Sequence, residues 1–352
     1  MNAAPTAIGY AEMVAGVMMI ALTAYALTGG ADFGGGVWDL LARGPRREAQ
    51  RALISSTIAP IWEANHVWLI IVIVVLFTGF PGAFAVLGTV LHIPLTLMLV
   101  GIVLRGSAFM FRSYGSGEHR ARRRWGRVFA IASIITPLLL GTIIGAIASG
   151  AVGAAAARIP DHARTPLPSF ADVYVAPWLA PFPLAVGTLA LALFAYLAAA
   201  YLILATDDDR LREDFRRRAL AGAGAVFIAA LAALVVAQFD APAMRRGLTE
   251  STGALLFQAI TGVSAVSAIW ALWSRHYQIA RIAVGAQVSL VLWGWALVQY
   301  PLLIPPAGTI GGLAAPEITL RLLLTALACG SVILLPSLAY LYRTFARSRI
   351  KA

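Results

Sequence analysis

Residues 66–104 read HVWLIIVIVVLFTGFPGAFAVLGTVLHIPLTLMLVGIVL and contain no Asp, Glu, Lys or Arg. A transmembrane helix needs about 20 mostly apolar residues, so this stretch is long enough to cross a membrane twice. Phe80-Pro81-Gly82 separates two apolar runs and contains the helix-breaking pair Pro-Gly. Together with the residues just before it, the stretch predicts two transmembrane helices near residues 54–78 and 83–104.

Similar apolar runs occur along the whole chain. They lie near residues 10–30, 54–78, 83–104, 128–149, 178–205, 219–238, 254–273, 282–300 and 318–342. The composition is 60% hydrophobic and 12% charged, whereas soluble domains are about half apolar and a quarter charged. A soluble fold of this composition would expose large apolar patches. We therefore predict an all-α polytopic membrane protein with about nine transmembrane helices, forming a single membrane domain over residues 1–352.

The basic residues alternate between the two sides of the predicted membrane domain. Of the 27 Lys and Arg residues, 22 lie after the first, third, fifth, seventh and ninth apolar runs. Cytoplasmic loops carry an excess of Lys and Arg, so the N-terminus is predicted outside and the C-terminus in the cytoplasm. The same loops account for the net charge of +11. Their basic side chains are expected to meet anionic lipid headgroups. We expect no nucleic-acid partner.

A weak internal repeat is present. Ala24-Tyr25-Ala26-Leu27-Thr28 closes the first predicted helix and Ala200-Tyr201-Leu202-Ile203-Leu204 closes the fifth, and acidic and then basic residues follow each. An offset of four helices predicts two pseudosymmetric four-helix bundles. Helices 1–4 would occupy about residues 8–150 and helices 5–8 about 178–300, with an extra ninth helix at about 318–342.

The first predicted helix ends in a glycine-rich segment, Thr28 to Asp39, which reads TGGADFGGGVWD. Glycines at this density either let two backbones approach closely or leave helical geometry. The segment also carries Asp32, a charged residue next to an apolar run.

The second predicted helix carries polar residues in Trp62-Glu63-Ala64-Asn65-His66-Val67-Trp68. Trp62, Glu63 and His66 share a helix face, which is expected to contact another helix or another subunit because polar groups are costly in lipid. Glu63 would lie about 10–14 Å into its helix from the cytoplasmic side. It is either a proton carrier or an acid that only fixes packing.

His92 is predicted in the middle of the third helix, where it and His66 are candidate haem ligands, with Met98 or Met110 as another axial partner. Isolated intramembrane histidines are more often neutral and hydrogen-bonded, so we expect no haem on this chain. Arg105 ends the third helix and is predicted either to anchor it at the interface or to pair with Asp32 or Asp39.

No metal site is predicted. Asp207-Asp208-Asp209 lies beside Arg210 and Arg212, which favours a helix N-cap with ion pairs over a metal cluster. The single cysteine, Cys329, can form neither an internal disulfide nor an iron–sulfur cluster.

These motifs resemble subunit II of the cytochrome bd family of quinol oxidases. The resemblance is dense between residues 20 and 113. It rests on the segments Gly30-Ala31-Asp32-Phe33-Gly34-Gly35-Gly36, Arg43 to Arg51, Ile58 to Leu69, Phe77 to Pro81 and Leu104-Arg105-Gly106-Ser107-Ala108-Phe109. Beyond residue 128 only helix number and length agree.

The resemblance implies a complex in the inner cell membrane that oxidises quinol and reduces oxygen to water, taking protons from the cytoplasm. Subunit I would hold haem b and haem d and the quinol site, while subunit II would bind no haem and be needed for assembly. In some members subunit II holds a structural quinone. A small single-helix subunit is a further expected partner, beside the quinol pool and membrane lipid.

The resemblance also implies site residues. Glu63 and Asp32 are the candidates for a proton pathway, while Gly29 stands where the family has a first acid. His66 is a further proton-pathway candidate from its place on the face of Glu63, although His66 and His92 both stand where better-known members have other residues. The interface or packing candidates are Trp62, Asn65, Trp68, His92 and Arg105. Two alternatives remain: a secondary transporter of a small solute, which suits the glycine-broken helix and buried polar residues, and a haem-binding membrane cytochrome.

Overall fold

The computed structural model describes residues 9–58, 62–114, 119–159 and 169–348. The bounds of its elements, in chain order, are α1 Tyr10–Leu40, α2 Arg47–Ile58, α3 Trp62–Gly79, α4 Pro81–Val90, α5 His92–Tyr114, α6 His119–Ala148, α7 Ala151–Ala156, α8 Phe170–Tyr174, α9 Ala176–Leu179, α10 Pro181–Ile203, α11 Asp209–Asp240, α12 Pro242–Glu250, α13 Thr252–Trp273, α14 Tyr277–Gln299, β1 Leu302–Ile304, β2 Gly308–Thr309 and α15 Glu317–Ser348.

Within these ranges, nine helices are long and apolar enough to span a membrane, namely α1, α3, α5, α6, α10, α11, α13, α14 and α15. This confirms the prediction of an all-α, multi-pass membrane protein. The orientation of the termini and the pseudosymmetry of the two bundles stay predictions.

Two predicted helix boundaries were wrong, and the continuity of a third predicted helix falls outside the described residues. The first helix does not end near residue 30, because the glycine-rich segment stays helical to Leu40. The third predicted helix, 83–104, is divided at Leu91 into α4 and α5. The second predicted helix is described in two parts, since Ala59, Pro60 and Ile61 lie outside the described residues.

The glycines of α1 allow the backbones of α1 and α10 to touch. A Cβ atom at Gly34 would lie 1.9 Å from the carbonyl oxygen of Phe194, and one at Gly30 would lie 2.6 Å from the ring of the same residue. On another face, a Cβ at Gly36 would lie 2.2 Å from Ser133 of α6. The segment therefore acts as a packing surface at the centre of the helix bundle.

Charged residues gather at one end of the bundle, which we call the basic end and define by Arg46, Arg112, Arg216 and Arg218. Arg46 forms two hydrogen bonds, of 2.8 and 2.5 Å, to the carboxylate of Asp214. These bonds raise the pKa of Arg46 above its ordinary value. Gln50 donates to Asp214 and accepts from Arg218, so the first turn of α2 is fastened to the first part of α11.

The opposite end of the bundle is closed by short elements. The β1–β2 hairpin is antiparallel, with Leu302 opposite Thr309. Gly153 of α7 lies against the hairpin, since a Cβ there would meet the carbonyl oxygen of Pro305 at 2.5 Å. The backbone N–H of Ala315 donates to the carbonyl of Gly79, which ties the loop before α15 to the end of α3.

Candidate functional site

A chain of three polar side chains crosses the interior near the basic end. Asn65 is 1% exposed and Asp32 is 6% exposed. The amide nitrogen of Asn65 donates to Asp32 Oδ2 at 2.5 Å. The hydroxyl of Tyr342 donates to the amide oxygen of Asn65 at 2.8 Å. Helices α1, α3 and α15 thus meet through hydrogen bonds between buried or half-buried side chains.

The three side chains line a cavity of about 170 Å³, which has room for several water molecules. Its polar lining also includes Thr28, Thr57 and Tyr201. The remaining lining residues are small or apolar, namely Ala31, Gly35, Ile58, Ala198 and Leu202. A mainly apolar cavity with a buried carboxylate in its wall is a place where that carboxylate can take up and pass on a proton.

Arg105 is buried beside this site. Only 2% of it is exposed, and its guanidinium lies 4.8 Å from the ring centroid of Phe33 and 5.2 Å from that of Phe129. Its Nε donates to Ser133 Oγ at 3.2 Å, while its Nη2 has no hydrogen-bond partner among the described residues. Arg105 therefore acts on Asp32 through its electric field.

The predicted pairing of Arg105 with Asp39 was wrong, whereas its pairing with Asp32 stays a prediction, since no direct hydrogen bond joins the two in the described part of the chain. Arg112 binds Asp39 instead, through two hydrogen bonds of 2.8 and 2.9 Å. Arg51 lies 3.8 Å from the same carboxylate. The reason is geometric: Asp39 lies two turns beyond Asp32 on the continuous helix α1, and Arg112 lies about two turns beyond Arg105 on α5.

His66 is enclosed by aromatic rings. The ring centroids of Tyr25, Phe33 and Trp62 lie 6.0, 6.4 and 6.1 Å from that of His66. The contact with Trp62 confirms that these two residues share a helix face. Trp68 is partly buried and packs against the apolar core that contains Tyr25 and Phe33.

His92 was wrongly placed in the middle of a helix. It is the first residue of α5, its side chain is exposed, and its Nδ1 lies 2.8 Å from the carbonyl of Thr89. Its ring contacts that of Tyr174, which belongs to the short helix α8 at the opposite end of the bundle. The kink at Leu91 moves His92 to a helix end.

Glu63 is the second residue of α3 as the structure describes it, and its predicted depth of 10–14 Å stays a prediction because residues 59–61 lie outside the described residues. Its side chain is exposed on the surface of this chain. It borders an open groove of about 510 Å³ whose other lining residues come from α3 and α5, namely Trp62, Ile102, Val103, Gly106, Ser107, Met110 and Phe111. Glu63 therefore faces outward, while Asn65 faces the protein interior.

His66 and His92 lie in separate parts of the fold, so they do not form one haem site between them. His66 is packed among three rings, and His92 lies at the opposite end of the bundle. Met98 is buried in an apolar cluster. In the part of the chain that the structure describes, no group of three or more His, Cys, Asp or Glu side chains is arranged to hold a metal ion. Asp208 instead caps α11, accepting from the backbone N–H of Arg210 at 2.7 Å.

Sequence reasoning did not find two residues of this region. Tyr342 lies at the end of an apolar helix, where a Tyr is typical of a membrane interface. Arg112 resembles an ordinary interfacial anchor. Only the fold shows that the first reaches Asn65 and the second Asp39.

Comparison with known proteins identifies relatives over the whole chain. A Bacillus subtilis (strain 168) protein named "Putative cytochrome bd menaquinol oxidase subunit II" is 23% identical over 332 residues, which cover 92% of each chain. The Escherichia coli (strain K12) cytochrome bd-I ubiquinol oxidase subunit 2 is 30% identical over 138 residues, which cover 39% of this chain and 35% of that protein.

The fold also matches a solved structure. The bd oxidase from Geobacillus thermodenitrificans contains a chain that superposes with a TM-score of 0.76 at 22% identity, covering 96% of this chain and 98% of that one. The family model for cytochrome bd terminal oxidase subunit II matches residues 10–345. This protein therefore belongs to the cytochrome bd terminal oxidase subunit II family, and it is a multi-pass membrane protein.

Proposed function

We propose that this chain is the non-haem subunit II of a complex that oxidises quinol and reduces oxygen to water in the inner cell membrane. Its partner would be subunit I, which holds the b and d haems and the quinol site. The N-terminus would lie outside and the basic end in the cytoplasm. The names of the relatives, a menaquinol and a ubiquinol oxidase subunit, support quinol as the substrate class.

The role of this subunit within the complex is to scaffold subunit I and to give protons access from the cytoplasm. The observation that carries this proposal is the cavity at Asp32, which lies towards the basic end and joins a buried carboxylate to Asn65 and Tyr342. Reduction of oxygen to water consumes protons. The chemistry of the haems would lie in subunit I, while Asp32 would hold a proton at its carboxylate oxygens.

Glu63 is proposed as the residue that delivers protons at the subunit interface. It is exposed on an apolar surface, beside a groove between α3 and α5. A carboxylate in such a place is costly in lipid, so it is expected to meet protein or water. The groove is therefore a candidate contact for subunit I. A structural quinone, membrane lipid and a small single-helix subunit are further proposed partners.

Copurification tests the proposed complex. The tagged chain is recovered from native membranes in mild detergent, and a reduced-minus-oxidised spectrum is recorded. We expect a second large subunit together with b- and d-type haem bands. A colourless chain recovered alone would contradict the proposal and would favour a transporter.

Substitution of each of the two carboxylates by its amide tests the proton route. In the intact complex, Asp32→Asn and Glu63→Gln are each expected to lower quinol-dependent oxygen consumption by about tenfold or more, because neither amide can carry a proton. Haem content should not change. Glu48→Gln, an acid in the first turn of α2, is the control and should keep wild-type activity. Wild-type turnover in both test variants would exclude the route.

A further inference from the structure

The last helix, α15, reaches the Asp32 site through one side chain. Few residues of α15 are buried in this chain, yet Tyr342 near its end is half-buried and lines the cavity. Its hydroxyl donates to Asn65 Oδ1 at 2.8 Å. Tyr342 is thus the outer member of the hydrogen-bonded chain that ends at the carboxylate of Asp32.

The amide of Asn65 sets which groups donate and which accept along the three hydrogen-bonded side chains. Its nitrogen donates to Asp32 and its oxygen accepts from Tyr342. This arrangement matches an ionised carboxylate, which can only accept hydrogen bonds. A protonated carboxyl group can donate, and it would pair best with an amide that has turned to present its oxygen.

A tyrosine hydroxyl is suited to both orientations of the amide, because it can donate and accept. When the amide oxygen faces Tyr342, the hydroxyl donates, as it does in this structure. When the amide nitrogen faces Tyr342, the hydroxyl can accept and turn its own hydrogen into the cavity. Asn65 is 1% exposed, so an unpaired amide group there would be costly.

We propose that Tyr342 is a positioning residue for proton uptake at Asp32, because it keeps the Asn65 amide paired in both of its orientations. The inference rests on the proposed proton route. One proton enters from the cytoplasmic side, is relayed by water in the cavity to a carboxylate oxygen of Asp32 so that the water is left unchanged, and later leaves towards subunit I. No electron moves, and Tyr342 neither gains nor loses a proton overall.

The test compares Tyr342→Phe with Tyr340→Phe in the intact complex with subunit I. Tyr340 lies two residues earlier on the same helix and is 74% exposed, so its variant is a matched control. We expect Tyr342→Phe to lower oxygen consumption by about three- to tenfold with unchanged haem spectra. Tyr340→Phe should keep wild-type activity.

An infrared readout separates positioning from a general structural effect. The carboxyl C=O band of Asp32 is assigned as the pH-dependent band that Asp32→Asn removes. Tyr342→Phe should shift this band, because the Asn65 amide loses a partner, whereas Tyr340→Phe should leave it in place.

Three outcomes would overturn the inference. If Asp32→Asn keeps wild-type turnover, the proton route itself fails. If Asp32→Asn is impaired but Tyr342→Phe matches Tyr340→Phe in turnover and in band position, the route stands and the role of Tyr342 is excluded. If Tyr342→Phe assembles poorly, turnover per assembled haem and the band position of the purified fraction decide: values equal to those of Tyr340→Phe contradict the role.

Discussion

Gly34→Ala is expected to prevent normal assembly of this subunit. A Cβ atom at this position would lie 1.9 Å from the carbonyl oxygen of Phe194 and 2.8 Å from the Cβ of Ala198. Both groups belong to α10, and a backbone oxygen cannot move away as a flexible side chain can. Helices α1 and α10 would have to separate along the centre of the bundle. Overpacking of a core costs about 1–3 kcal/mol and occasionally more, and we expect the upper end here.

The measurement is the yield and the apparent melting temperature of the detergent-solubilised complex. Gly16→Ala is the matched control, because Gly16 lies on the same helix and a Cβ there would meet no atom within 4 Å. The control should behave like wild type. A Gly34→Ala complex with normal yield and melting temperature would show that the contact with α10 does not limit assembly.

The helix count was predictable because apolar length is read directly from the sequence. The boundaries were less predictable, since they depend on contacts between distant segments. The glycine-rich segment Thr28 to Asp39 contains weak helix formers, so it was interpreted as the end of a helix. In the fold the segment stays helical to Leu40. Its glycines leave room for Phe194 on one face of the helix and for Ser133 on another.

The candidate functional site was also predictable only in part, because its contacts join distant segments of the sequence. Asn65 was identified because polar residues in apolar helices are rare and costly, and Asp32 was identified through the family resemblance. Their direct hydrogen bond could not be predicted, since it joins residues 33 positions apart on two helices. Tyr342 is 277 positions from Asn65, and only the packing of α15 on α1 and α3 brings them together.

The second large effect is a loss of stability, and it is expected when Asp39 loses its negative charge. Its carboxylate is 3% exposed and is held by Arg112 through two hydrogen bonds of 2.8 and 2.9 Å. Arg51 lies 3.8 Å away and also donates to the backbone carbonyl of Asp39. Asp39→Asn would leave two arginines at the basic end without this anion. Breaking a buried ion pair on one side costs about 3–5 kcal/mol, and we expect about 3 kcal/mol because Arg112 is 22% exposed.

The apparent melting temperature of the complex measures this effect, and a double-mutant cycle assigns it to the pair. Asp39→Asn should lower the melting temperature strongly, while Asp39→Asn combined with Arg112→Gln should recover part of the loss, because the unpaired cation is removed together with its partner. Asp209→Asn is the control, since its 93% exposed carboxylate pairs with Arg212 in solvent, where such a pair contributes little.

Additive effects of Asp39→Asn and Arg112→Gln would contradict a direct coupling between Asp39 and Arg112. A stable Asp39→Asn complex would show that Arg51 and Arg112 are neutralised by another group, and the end of α1 would then be held by helix packing alone.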